Sequence, residues 1–210
     1  MNNRRISWKK WEKSGDSHFM NRIQWDEDEL ENVRGVFESD WFGYGEANKK
    51  LEKKLCELID VSNFSLTNSG STAIMTAIKS LMHLKRFERG DIILHPVTTF
   101  PTSISSAIDY GGIPLFIDTK LGTYIVDEEQ VERAIQKYPS VKGMILPYLM
   151  GNIPDMDRVK SALGNRFLIG DAADTFGGSF DQRPLSSFSD FTAMSFYGSH
   201  HMSTAGVGGG

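Results

Sequence analysis

Six short, largely apolar segments recur along this chain, most of them separated by helix-forming stretches, and this alternation is the strongest limit on what it can fold into. They are FSLTN (64–68), DIILHP (91–96), IPLFID (113–118), KGMILP (142–147), FLIGD (167–171) and FTAMSF (191–196). A short unbroken apolar run marks a strand covered on both faces. Between them lie segments with helical spacing: Leu51, Leu55, Leu58 and Ile59 in 46–60, and Ile74, Ala77, Ile78 and Leu81 in 71–84. Further helices are expected over 26–39, over 101–111 behind Pro101, and over 155–163. Asp127 with Gln130 three residues later predicts a capping box for a helix that runs to about Lys137. Strands alternating with helices imply βαβ crossovers, an α/β class and a mainly parallel sheet flanked by helices.

With 210 residues and 40% apolar content the chain can bury a substantial core. A net charge of −4, with no segment dense in Lys and Arg, argues against a nucleic-acid partner. The cluster Lys49, Lys50, Lys53 and Lys54 is interleaved with Glu46, Glu52 and Glu57 and reads as a solvated helix face. Cys56 is the single cysteine, which excludes a disulfide framework and suits a reducing compartment; within its helix it reads as a passive side chain. Residues 1–24 read as a loose arm without the apolar core of a signal peptide, ahead of one domain over 25–210. No run approaches the ~20 apolar residues of a membrane span. A cytoplasmic protein with no membrane partner is expected.

Ligands of such sheets sit outside the carboxyl ends of the strands. At one of these ends, TNSGST turns at Gly70 and opens a helix with free N–H groups at Ser71 and Thr72. That geometry binds a phosphate, and it equally caps a helix with no ligand present. Asp171 in LIGDAAD reads as an N-cap, a metal ligand or a charged partner for a ring nitrogen. With Asp174 as its only acidic neighbour, no metal site is expected. Phe100 is a lid for a flat ring or a core residue, and His95 reads as a core histidine with its hydrogen bonds satisfied. A phosphate cradle, an aromatic lid and a buried carboxylate together describe a pocket for pyridoxal phosphate.

The motifs TNSGSTA (67–73), GDIILHPVTTFPTS (90–103), GGIPLFIDTKLGTYIVD (111–127), LPYLMGNIPDMD (146–157), GDAAD (170–174) and SFYGSHH (195–201) resemble the DegT/DnrJ/EryC1/StrS family of sugar aminotransferases. The resemblance runs from about residue 24 to the last residue. It implies the large domain of a fold type I PLP-dependent transferase, cut before the C-terminal small domain, and a homodimer whose second subunit completes the pocket. Carried over by position, Gly70, Ser71 and Thr72 would cradle the cofactor phosphate, with Ser195 a further contact. Phe100 would stack on the ring, Asp171 would pair with its nitrogen, and Asp174 would lie near the ring hydroxyl.

In the family's aminotransferases, the fifth residue after this serine is the lysine that binds the cofactor covalently. Here it is His200, and no lysine follows Lys160. One branch of the family carries this change: the nucleotide-sugar 3-dehydratases, which use pyridoxamine 5′-phosphate rather than covalently held pyridoxal 5′-phosphate. The resemblance therefore implies 3-dehydration of a nucleotide-linked 4-keto-6-deoxyhexose, with His200 as the catalytic base and a nucleotide sugar as substrate. VTTFPT and SFYGSHH look most like the CDP-sugar enzymes, whose setting is surface-polysaccharide or lipopolysaccharide sugar synthesis. Two departures stand out. Ala172 and Ala173 beside Asp171, with Cys56 far away, speak against the iron–sulfur cluster of the CDP-sugar enzyme, and AGVGGG stands where relatives have GEGG. Sugar transamination and a non-catalytic binding relative are the alternatives. His201, next to His200, is expected to point elsewhere along an extended backbone.

Overall fold

A computed structural model describes residues 26–204 and 206–210; the expected arm over 1–24 lies outside them. The helices are α1 (Glu27–Glu38), α2 (Glu46–Ile59), α3 (Gly70–His83), α4 (Pro101–Asp109), α5 (Glu128–Lys137) and α6 (Met156–Leu163). The strands are β1 (Ile92–Pro96), β2 (Ile113–Ile117), β3 (Val141–Pro147), β4 (Phe167–Asp171), β5 (Ser179–Phe180), β6 (Arg183–Pro184) and β7 (Phe191–Ala193). β5 and β6 form a small antiparallel hairpin, and the other five pair in the order β2-β1-β3-β4-β7, every pair parallel.

The period of two along each strand divides the core. Leu94, Met144, Leu146 and Leu168 face α2, α5 and α6 through Leu55, Ile59, Val131, Val159 and Leu163. Ile93, Ile145, Phe167, Ile169 and Ala193 face α3 and α4 through Ile74, Ala77, Ile78, Leu81 and Ala107. Each of the larger buried aliphatic side chains contributes roughly 2 kcal/mol of transfer free energy. Gly143 is needed on β3, because a Cβ there would lie 2.3 Å from the ring of Phe167 on the neighbouring strand.

Several expectations are corrected. Residues 64–68 are not a strand of the parallel sheet. Thr67 pairs instead with Gly209: its N–H donates to the Gly209 carbonyl at 2.8 Å, and its carbonyl accepts the Gly209 N–H at 3.0 Å. The same terminal glycines bond Met194 and Phe196, so Gly208–Gly210 runs between 67–69 and 194–196. Glycine suits this slot, since a Cβ on Gly209 would sit 2.4 Å from the Ser69 backbone. The strand expected over 191–196 is regular only to Ala193, with an isolated bridge at Ser195.

Asp127 does cap α5, accepting from Glu129 N–H at 3.0 Å, but Gln130 is no capping-box partner. Its side chain accepts from Asp118 N–H at 2.9 Å and ties α5 to the end of β2. Leu58 is 58% exposed and outside the buried stripe of α2. On the same helix Lys49 pairs with Glu46 at 2.8 Å in solvent, as a charged face should. Glu52 instead accepts from the Leu66 N–H at 2.9 Å and from the Tyr44 hydroxyl.

His95 is fully buried, yet neither ring nitrogen has a hydrogen-bond partner among the described residues. It is a core histidine without the satisfied bonds the sequence suggested. Burial keeps it neutral and lowers its pKa from 6.5 to about 4. The unfolded chain takes up this proton below about pH 6.5, whereas the folded chain resists it until about pH 4. Stability present above pH 6.5 is therefore lost progressively as the pH falls toward 4, by at most about 3 kcal/mol. In His95→Leu the fall in urea-unfolding free energy between about pH 7 and about pH 4.5 should be much shallower. Equal slopes for the two proteins would contradict this assignment.

Candidate active site

The site lies where α3, α4, β4 and the segment after β7 meet, at the carboxyl ends of the strands. Gly70 starts α3 against Ser195: a Cβ on Gly70 would be 2.8 Å from the Ser195 Cβ, so only glycine allows this approach. Ser69 is the N-cap, its hydroxyl accepting from the Thr72 N–H at 3.1 Å. The amide expected to be free at Thr72 is therefore occupied. Gly70 and Ser71 keep N–H groups without an acceptor among the described residues, as the first turn of a helix does. The Thr72 hydroxyl donates to Asn68 Oδ1 at 2.6 Å, and the Ser71 hydroxyl donates to Thr102 Oγ1 at 2.8 Å.

Thr102 and Ser103 belong to the first turn of α4, and both escaped the sequence reading. Ser103 is fully buried, and its hydroxyl donates to Asp171 Oδ2 at 2.9 Å. Asp171 closes β4, is 8% exposed, and accepts the Ala173 N–H at 3.3 Å on its other oxygen. Burial pushes its pKa up; the Ser103 and Ala173 bonds and the nearby His200 oppose that, and Asp174 adds to it. A carboxylate held this deep with two donors has acceptor capacity left for a further N–H. Phe100 is the residue just before α4 and is 61% exposed. It is therefore not a core residue.

The end of β7 runs through Ser195, whose hydroxyl accepts the Tyr197 N–H at 3.3 Å, into a turn closed by His200 N–H donating to the Tyr197 carbonyl at 2.9 Å. The backbone here turns rather than extends. His200 Nδ1 lies 3.1 Å from Asp174 Oδ1, with the His200 side chain 21% exposed, whereas His201 is exposed. The other Asp174 oxygen accepts the Met150 N–H at 3.5 Å. Asp174 thus joins His200 to the loop after β3. A carboxylate three residues after Asp171 was the available signal, but its partner, 26 residues on, was not. No group of three or more His, Cys, Asp or Glu side chains among the described residues has the arrangement of a metal site.

Ionised Asp171 is paid for by the fold, because its raised pKa means the carboxylate form is the disfavoured one. The stability it contributes is full below its unfolded pKa and lost as the pH rises through the folded value. Asp171→Asn keeps an acceptor for Ser103 and removes the charge, so it should raise Tm at neutral pH in ligand-free protein. A lower Tm would contradict the description of this carboxylate. Gly70→Ala, which drives a methyl into Ser195, should cost about 1–3 kcal/mol in urea unfolding.

The DegT/DnrJ/EryC1/StrS aminotransferase family profile matches residues 24–210. The lipopolysaccharide biosynthesis protein RfbH of Salmonella typhimurium is 33% identical over 175 residues, 80% of this chain and 39% of that protein. GDP-4-keto-6-deoxy-D-mannose 3-dehydratase of Escherichia coli O55:H7 is 27% identical over 184 residues, 86% of this chain and 47% of that protein. The chain thus spans less than half the length of these relatives. Among solved structures, GDP-4-keto-6-deoxymannose-3-dehydratase with bound GDP-perosamine superimposes with a TM-score of 0.85 at 25% identity, covering 90% of this chain and 50% of that one. The aminotransferase from Psychrobacter cryohalolentis gives a TM-score of 0.82 at 26% identity over 90% of this chain and 47% of its own. The parallel sheet is the fold type I large domain, and the chain belongs to the DegT/DnrJ/EryC1/StrS aminotransferase family.

Proposed function

We propose that this chain forms part of a pyridoxal or pyridoxamine phosphate-dependent nucleotide-sugar enzyme that removes the 3-hydroxyl of a nucleotide-linked 4-keto-6-deoxyhexose. The observation that carries the reading is His200, set against Asp174 where the family's aminotransferases have lysine. The relatives named as 3-dehydratases support it. When bound, pyridoxamine phosphate supplies an amine for the keto carbon and a ring that accepts electrons.

The residues present fit that group. The Gly70 and Ser71 N–H groups and the dipole of α3 suit a phosphate without any basic side chain, and Ser195 abuts the same turn. Asp171, buried and with spare acceptor capacity, suits a protonated ring nitrogen, whose positive charge would offset the cost of burying the carboxylate. Ser103 fixes the orientation of that carboxylate, and the exposed face of Phe100 suits stacking. Asp174, read from sequence as a neighbour of the ring hydroxyl, is placed in this reading behind the histidine. A carboxylate 3.1 Å from Nδ1 favours the tautomer with its proton there, which leaves Nε2 as the proton acceptor. His200 would then hold at Nε2 the proton given up by the methylene carbon of the bound pyridoxamine phosphate and pass it to the departing 3-hydroxyl, which leaves as water.

Transamination draws on aminotransferase relatives such as GDP-perosamine synthase of Escherichia coli O157:H7. It requires the work of the absent lysine to be done elsewhere, and imidazole has no primary amine. A homodimer fits the apolar surface that α1 and the following loop leave in solvent, where Val33, Phe37, Trp41, Phe42 and Tyr44 are each more than half exposed. No helix among the described residues is long and apolar enough to cross a membrane. A cytoplasmic setting in surface-sugar synthesis agrees with the RfbH relationship.

The direct experiment incubates the purified protein with pyridoxamine phosphate and CDP-4-keto-6-deoxyglucose, then the GDP-linked mannose analogue, and follows the sugars by mass spectrometry. Loss of one oxygen at C3 is expected with one of them; transfer of an amino group from glutamate would sink the reading. His200→Asn should abolish turnover while cofactor binding, read by absorbance, persists. Asp174→Asn should lower kcat by about a hundredfold or more with little change in cofactor affinity.

A further inference from the structure

At the opposite end of the sheet, where β3 and β4 begin, the fold assembles a basic groove that the cofactor pocket does not use. It has a volume of about 390 Å³ and is lined by Lys85, Arg86, Lys142 and Arg166, with Asn165 and the edge of Phe167. These cations come from three places in the sequence, Lys85 and Arg86 being adjacent, and they gather in a chain of net charge −4. We infer that this groove binds a small phosphorylated anion of about diphosphate charge, at a site separate from the strand ends that carry Asp171 and His200.

Two of the four cations are fixed in orientation by the fold, and two stand without an ion pair among the described residues. Arg166 donates through Nε to the Val141 carbonyl at 2.8 Å, through Nη1 to Leu163 at 3.2 Å and through Nη2 to Pro139 at 3.0 Å. Three backbone carbonyls fix the guanidinium plane, no carboxylate among the described residues neutralises it, and two of its five N–H donors remain. Arg86 is oriented by an ion pair with Asp190, whose other oxygen accepts the Leu168 N–H at 2.8 Å, so the pair is anchored to β4. Lys85, placed by a backbone turn at φ 56 just after α3, and Lys142, exposed on β3, have no ion pair among the described residues. Four lining cations set against the one carboxylate, Asp190, leave a net charge of about +3. Planar guanidinium donors beside mobile ammonium groups are the combination that recognises phosphate oxygens. On α2, by comparison, Lys49 is paired with Glu46 on its own helix.

The test uses calorimetric titration of the full chain with pyrophosphate at low ionic strength. Three proteins are compared: the parent, Lys85→Glu/Lys142→Glu, and the charge-matched control Lys50→Glu/Lys54→Glu on the exposed face of α2. All four lysines are exposed, and thermal melts check that both double variants keep their fold. Saturable binding is expected in the parent, weakened by screening when salt is added. The groove variant should bind at least about fivefold more weakly, with the α2 variant within about twofold of the parent, since reversing two charges at the site removes on the order of that factor. Absence of binding in the parent, a loss smaller than about fivefold in the groove variant, or an equal loss in the α2 variant would overturn the proposal.

Discussion

The buried hydrogen bond from Ser103 to Asp171 is the contact on which the site depends. It links the first turn of α4 to the last residue of β4, across β3, which lies between β1 and β4. α4 follows β1 and Asp171 ends β4, so the bond forms only if the parallel order β1-β3-β4 is in register. That register is fixed from Gly143 opposite Phe167 to Pro147 opposite Asp171. Displacing it by one residue would turn Asp171 to the other face of the sheet. The neighbouring Ser71–Thr102 bond ties α3 to the same turn of α4, so the phosphate-type N-terminus and the buried carboxylate share one bracket.

A second consequence concerns charge. Burying a carboxylate without a cation destabilises the free protein, and hydrogen bonds from Ser103 and Ala173 offset only part of that cost. A ligand bringing a protonated nitrogen would bind more tightly for the same reason. Strain held in the free state and relieved on binding is how a functional site departs from a purely stabilising core. The orphaned imidazole of His95 on β1 is different: it has no such ligand within the described geometry and acts on stability through pH alone.

Much of this was legible in the sequence because the signals were local. The apolar runs of β1, β3 and β4 and the stripe Ile74, Ala77, Ile78 and Leu81 sit on periodicities that survive into the fold. Gly70, Asp171 and Ser195 were recognisable because strand ends expose unusual residues. What failed was set by partners distant in sequence. Residues 64–68 looked apolar enough for a parallel strand, but their backbone groups are met by Gly208 and Gly209, glycines with no propensity signal of their own. Gln130 had the spacing of a capping box, yet Asp118 N–H, twelve residues upstream, claimed its side chain. Ser103 looked like one more polar residue in a helix start, and only the β4 crossing gives it Asp171 to hold. The basic groove is the same lesson at larger scale, since Lys85, Lys142 and Arg166 meet only through the sheet.

On the proposed reading a histidine, not a lysine, faces the cofactor, which is then held without a covalent link to this chain. The most direct measurement incubates the protein with pyridoxal phosphate, reduces it with borohydride, denatures it and weighs the chain by mass spectrometry. The account predicts an unmodified chain in the parent and one equivalent of reduced cofactor in His200→Lys, where the primary amine is restored. A parent chain that retains one equivalent of cofactor on a single lysine would contradict it.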